Sequence, residues 1–201
     1  MNKYIRLAMR TAPKNCDFQE DILHAGLGMT TEVGELVDQL KRHIFYKKPY
    51  DRVHLVEEVG DVLWYVALAS RALGIQPTLM PSTVDDSMLG EQSVVGTIFG
   101  RMVTTSSRFS AIALTTLPTL VKDPSFEEDR LAGNCPICDI LIETTFRLYN
   151  SLGDYCKVMG ISIEEAMSRN VAKLQARFPE GFTEDKAVNR DLSAERVALE
   201  Q

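Results

Sequence analysis

Two neighbouring stretches, TTEVGELVDQLKRHI (residues 30–44) and VHLVEEVGDVLWYVALASRAL (residues 53–73), decide the fold. In the first, Val33, Leu36, Val37, Leu40 and Ile44 recur at spacings of three and four, the apolar stripe of an amphipathic helix. Thr30 or Thr31 is the expected N-cap, because a hydroxyl there can accept from a free backbone N–H. In the second, Val56, Val59, Val62, Leu63, Val66, Ala67 and Ala69 cover most of the circumference. That pattern predicts a helix from about Val53 to Leu73 in the centre of the core. Gly74 suits the position just past its end, where left-handed backbone is common. Between the two, FYKKPYDR carries Pro49 and reads as a loop short enough to make the helices antiparallel neighbours.

The rest of the chain is also helical in pattern. Tyr4 to Arg10 predicts a short amphipathic turn or two, and Ile22 to Leu27 is apolar. Gln76 to Glu91 holds two prolines and Gly90 and reads as a loop. Helical stretches follow over Gln92–Leu117 and Phe126–Met159, the second interrupted around Gly133–Pro136. A further helix is expected over Ile163–Phe178, opened by Ser162 with Glu164 and Glu165 in its first turn. Arg190–Gln201 predicts a charged terminal helix or tail. No segment alternates at period two for long enough to be a strand. The expected fold class is therefore all-α, a helical bundle in one domain over 1–201, with a helical insertion at about 76–139.

Bulk properties narrow the function classes. The chain has 201 residues, is 45% hydrophobic and 25% charged, and carries a net charge of −6. Such a balance buries a core, and its sign disfavours a nucleic-acid polymer as partner, since phosphate backbones attract basic surfaces. No apolar run reaches the roughly 18 residues of a membrane span. The four cysteines, Cys16, Cys135, Cys138 and Cys156, are too scattered for a disulfide scaffold, and the start has no apolar signal region. A cytoplasmic protein with reduced thiols is expected.

Each of the two deciding helices carries an acidic pair three residues apart: Glu32 and Glu35 in TEVGEL, and Glu58 and Asp61 in VEEVGD, with Glu57 beside them. At about 3.6 residues per turn, such a pair lies on one face. Antiparallel packing can bring both pairs to one volume. Four converging carboxylates repel unless a cation neutralises them, and Mg²⁺ takes such oxygen ligands while recruiting substrate phosphates. Mn²⁺ is the expected substitute. Acidic residues on a helix are more often a plain solvated face. Here they stand among Val56, Val59 and Val62, where an unpaired charge is costly.

These features, with LAMRT (7–11), LHAGLGMTTEVGELVD (23–38), IFYKKP (44–49), EEVGDVLWYVALAS (57–70), NVAKLQARFPEGF (170–182) and AVNRDLSAER (187–196), resemble short MazG-like proteins of the all-α nucleoside triphosphate pyrophosphatase superfamily. The resemblance implies Glu32, Glu35, Glu58 and Asp61 as Mg²⁺ ligands. It implies Lys173 and Arg177, with Asn170 nearby, as the groups that hold the triphosphate. Where many relatives carry a further Glu, Thr31 stands directly before Glu32, which leaves Glu57 or Glu35 to activate water, or a metal-bound hydroxide that needs no dedicated base. His54, one turn before Glu58, could reach a phosphate or be a structural histidine. The implied reaction is hydrolysis of a nucleoside triphosphate, a dNTP foremost, to a monophosphate and pyrophosphate by water attack at the α-phosphorus. The alternatives are a narrow deoxynucleotide enzyme, dUTPase-like or of the phage dGTP-specific type, and a non-catalytic nucleotide-binding helical protein. A homo-oligomer, tetramer ahead of dimer, is expected. Cys135-Pro-Ile-Cys138 has zinc-knuckle spacing but no second ligand pair, so free buried thiols are the better reading. Trp64 and Tyr65 read as core.

Overall fold

The structure, a computed structural model, describes residues 1–81 and 91–200, without the side chains of 91 and 92. Among the described residues there are helices and no strand, as the patterning predicts. The later part of the loop expected over Gln76–Glu91 lies outside the described residues.

Helix α1 (Asn2–Ala8) leads through a 3₁₀ turn to α2 (Phe18–Tyr46). The start of α2 corrects the expected cap at Thr30 or Thr31. Asp17 is the N-cap and accepts from the Glu20 backbone N–H, while the Glu20 side chain accepts from the Asp17 N–H. This reciprocal capping box satisfies two of the helix's free donors, so the helix begins 12 residues before Thr30. The two threonine hydroxyls serve elsewhere: Thr31 donates to Gly28 O at 3.0 Å, and Thr30 lies 2.7 Å from the Ser110 hydroxyl.

After the loop comes α3 (Arg52–Leu73), capped by Asp51, whose carboxylate accepts from Val53 and His54 N–H groups at 3.0 and 3.2 Å. Gly74 ends it in left-handed backbone at φ 67°, a conformation that costs glycine little. The chain continues through α4 (Glu91–Ala111), a π-helical stretch (Ile112–Thr116) and α5 (Leu117–Leu120). Pro118 has no N–H to offer residue 114, and a wider turn precedes it. Then follow α6 (Phe126–Leu131), α7 (Pro136–Val158), α8 (Ile163–Arg177), α9 (Glu184–Val188) and α10 (Leu192–Glu200). Cys135 caps α7 with its sulfur, and Ser162 caps α8. Cys135 and Cys138 are buried free thiols.

The core is built around α3, as its all-round apolar sequence requires. Val59, Val62, Leu63, Val66, Ala67, Leu68 and Ala69 are fully buried. Helices α1, α2, α7 and α8 of the same chain all pack on it. Helix α4 packs on α2 and α7, and α10 on α8. Two of these contacts place the site. At Gly28 the Tyr65 ring lies so close that a Cβ would fall 2.1 Å from it. At Gly60 a Cβ would meet the Asn170 side chain at 2.8 Å, so α8 crosses α3 where only a glycine allows it. No described helix is long and apolar enough to cross a membrane.

Candidate active site

The antiparallel α2–α3 pair brings three of the four predicted ligands together. One carboxylate oxygen each from Glu32, Glu58 and Asp61 lies within 4.8 Å of the others. A second group, His54, Glu57 and Glu58, meets the same limit and shares Glu58 with the first. His54 Nδ1 is 3.1 Å from Glu58 and 3.7 Å from Glu57. Glu35 lines the same cavity but is exposed and belongs to neither group.

Burial makes this crowding costly. Glu58 is 6% exposed. Its carboxyl is pushed up to about 9 by that burial and by the charges of Asp61, Glu32 and Glu57, against a smaller pull from Lys173. Burial and Asp61 also raise Glu32. Without a cation Glu58 therefore holds a proton that an isolated carboxylate would release at neutral pH. A set of hard oxygen donors this close, disfavoured as bare charges by burial and then by one another, fits a hard divalent ion such as Mg²⁺ or Mn²⁺.

Helix α8 supplies the counter-charge. Lys173, 1% exposed, donates to Asp61 Oδ1 at 2.6 Å and to Glu57 at 3.3 Å. Asn170, equally buried, donates through Nδ2 to Asp61 at 2.9 Å, and its Oδ1 accepts from the Tyr4 hydroxyl at 2.7 Å. The Tyr4 bond fixes the amide's orientation, because a phenol O–H needs the oxygen and so turns the NH₂ to Asp61. Burial, then Asp61, raise the Tyr4 pKa well above the usual range, so it stays a donor. Asn170 and Lys173 thus bear on the acidic cluster itself.

The cavity over these groups has a volume of about 440 Å³. Besides the five carboxylates Glu32, Glu35, Glu57, Glu58 and Asp61, it is lined by His24, Trp64, Tyr65, Phe178 and Phe182. His24, Trp64 and Tyr65 meet edge to face with centroids 4.9–5.6 Å apart, and Phe178 lies 5.6 Å from Phe182. Trp64 is buried, as expected of core, yet one side of it and of Tyr65 faces this space. A larger cavity of about 550 Å³ between α4 and α7 is lined by Arg101, Arg147, Asn150 and Asp154 among others, and contains none of the acidic cluster.

Arg177 lines the acidic cavity and is joined there by Arg190, which sequence reasoning missed. Both bind Glu195 of α10. Arg177 donates to it at 2.7 and 2.5 Å, and Arg190 at 2.7 Å. The signal was present in AVNRDLSAER, which holds Arg190 and Glu195. Nothing local showed that α10 folds back on α8.

Residues 22–78 match the family model of the MazG nucleotide pyrophosphohydrolase domain. The match takes in α2 from Ile22, all of α3 and every residue of both acidic pairs. No curated protein and no solved structure matches the chain. The chain thus carries a domain that supports nucleoside triphosphate pyrophosphohydrolase activity on the all-α scaffold described above.

Proposed function

We propose that this chain, built on its MazG nucleotide pyrophosphohydrolase domain, hydrolyses nucleoside triphosphates to monophosphate and pyrophosphate, with deoxynucleotides as the first substrates to test. The observation that carries the reading is one cavity lined at once by five carboxylates, two arginines and five aromatic or imidazole rings. A nucleotide needs all three: a cation site and cationic donors for phosphates, and flat apolar faces for a base.

Glu32, Glu58 and Asp61 would hold the divalent ion, Mg²⁺ by preference and Mn²⁺ as substitute, with Glu35 on the rim. When bound, the ion offsets the carboxylate charge and draws electron density from the phosphate oxygens. Asn170 and Lys173 keep Asp61 in place from behind. Glu57, on the cavity wall beside Lys173, accepts the proton of the water that attacks the α-phosphorus. The bridging oxygen leaves with pyrophosphate. Arg177 grips phosphate oxygens through its planar fork. Trp64, Tyr65 and His24 offer ring faces and edges to the base, so aromatic residues serve both core and site.

Hydrolysis in ¹⁸O-labelled water is expected to place the label in the monophosphate. Label confined to inorganic phosphate or pyrophosphate would rule out attack at the α-phosphorus. A homo-oligomer, tetramer or dimer, belongs to the same reading. Light scattering that returns the mass of one chain at full activity would show instead that the site is completed within one chain.

A further inference from the structure

Two cationic side chains from α8 were expected at the phosphates, and one of them is already committed: Lys173 is buried against Asp61 and Glu57. The positive charge that reaches the cavity comes from Arg177 and Arg190. They arrive from different places, Arg177 from the last turn of α8 and Arg190 from the bend between α9 and α10. One residue brings them together. The Glu195 carboxylate is 4% exposed and receives Nε and a terminal nitrogen from each guanidinium, at 2.7 and 2.5 Å from Arg177 and at 3.4 and 2.7 Å from Arg190.

Within this trio charge and donors are left over, and they face the acidic wall, since Asp61 and Glu57 act on Arg190 after Glu195 does. Two guanidiniums carry two positive charges against the single negative charge of Glu195. Each has five N–H donors and spends two of them here. The side chain of Arg190 remains 38% exposed and that of Arg177 17%, both on the cavity. Glu195 is held well below the usual carboxylate range, at about 2: burial alone would raise it, and the Arg177 and Arg190 hydrogen bonds reverse that. The frame beneath is firm. Arg169 donates to Leu199 O at 2.6 Å, Leu199 is 1% exposed, and α10 packs along α8.

We propose that Arg190 is a second phosphate-binding arginine of the active site, paired with Arg177 through the buried Glu195, which makes α10 part of the binding site for an oligophosphate. Glu195 is the positioning residue. It fixes two forks side by side, at a spacing set by one carboxylate, and leaves their outer donors toward the cavity. Two adjacent guanidiniums suit neighbouring phosphoryl groups better than a lone phosphate. The inference deepens the hydrolase reading and rests on it for the substrate class.

The test is calorimetric binding of inorganic pyrophosphate to the full chain with Mg²⁺, in wild type, Arg190→Gln, Glu195→Gln and the double variant, beside steady-state kinetics on a dNTP. Arg190→Gln is expected to weaken pyrophosphate binding about 10- to 100-fold, the loss of a charge-assisted pair. The dNTP KM should rise more than kcat falls, and the melting temperature should stay near wild type. Arg190→Lys should recover only part of the affinity, since it restores the charge without the fork. Glu195→Gln should weaken pyrophosphate too, and the double variant should lose no more than the worse single one, because the two act as one unit. Additive losses would reduce Glu195 to a structural contact and overturn its positioning role. Wild-type affinity in Arg190→Gln, or no pyrophosphate binding by wild type, overturns the proposal. The binding arm needs no turnover, so the two readings fail separately. Arg190-dependent binding without hydrolysis of any triphosphate would sink the hydrolase and keep the clamp. Hydrolysis indifferent to Arg190 would do the reverse.

Discussion

Glu32 and Glu35 on α2 and Glu58 and Asp61 on α3 share a three-residue spacing, yet the two pairs live in different surroundings. The α3 pair is the more constrained: Glu58 is 6% exposed, and Asp61, itself partly exposed, is held by Asn170 and Lys173 of α8. On α2, Glu32 is half-buried against its α3 partners, whereas Glu35 is open to solvent. Spacing places a carboxylate on a face; what crosses that face decides its charge and its rigidity. Here the crossing element is α8, admitted at Gly60. The α3 pair is therefore the half of the candidate site with more side-chain partners, and Glu35 of the α2 pair is its most open member.

The sharpest way to break this comparison is to neutralise one member of each half. Asp61→Asn or Glu58→Gln is expected to lower kcat/KM on the order of 1,000-fold, since a bound divalent ion supplies several kcal/mol of charge stabilisation. Glu35→Gln should cost about tenfold, the lower edge for groups that support a metal site. Equal losses in steady-state assays would mean that the α2 pair closes on the ion as rigidly as the α3 pair holds it.

A smaller effect is expected from Gly60→Ala. The new methyl would press on the Asn170 side chain, and overpacking of this kind typically costs about 1–3 kcal/mol. Melting temperature should fall, and activity with it, because Asn170 would be pushed off Asp61. A stability loss with unchanged kcat would show that Asp61 does not depend on α8.

A separate signal, read in stability and not in turnover, is a pH slope in the metal-free protein. Folded Glu58 holds its proton up to about 9, while the unfolded chain releases it near the ordinary glutamate value of 4.5. The folded state then binds the extra proton between those values, so stability present at low pH is lost as pH rises through that window. Thermal unfolding from pH 5 to 9 should show the decline in wild type and a flatter profile in Glu58→Gln. Parallel profiles would mean that Glu58 ionises normally in the fold.

The hairpin of α2 and α3 was legible in the sequence because local periodicity and the family-like motifs agreed there. The true start of α2 was legible as well, in Asp17-Phe-Gln-Glu20, but Gly26 and Gly28 broke up the apolar pattern and the threonines nearer the strong stripe drew the cap to themselves. Of the site, the acidic residues followed from spacing on two neighbouring helices. The roles of Asn170 and Lys173 on Asp61 did not, because they depend on a crossing between residues more than 100 positions apart. Arg190 depended on α10 turning back to bury Glu195, and no local pattern encodes that contact.

The seat of Tyr65 on Gly28 bears on how this cavity could be re-engineered. A mutant library meant to alter base preference would naturally randomise Trp64, Tyr65 and His24. The ring of Tyr65 occupies the slot that glycine leaves open, where a Cβ would fall 2.1 Å away. Positions 28 and 65 are thus complementary in volume and should be varied as a pair: an alanine at 28 calls for a smaller partner at 65, and a library that holds one fixed misses every shape of this wall that needs both to change.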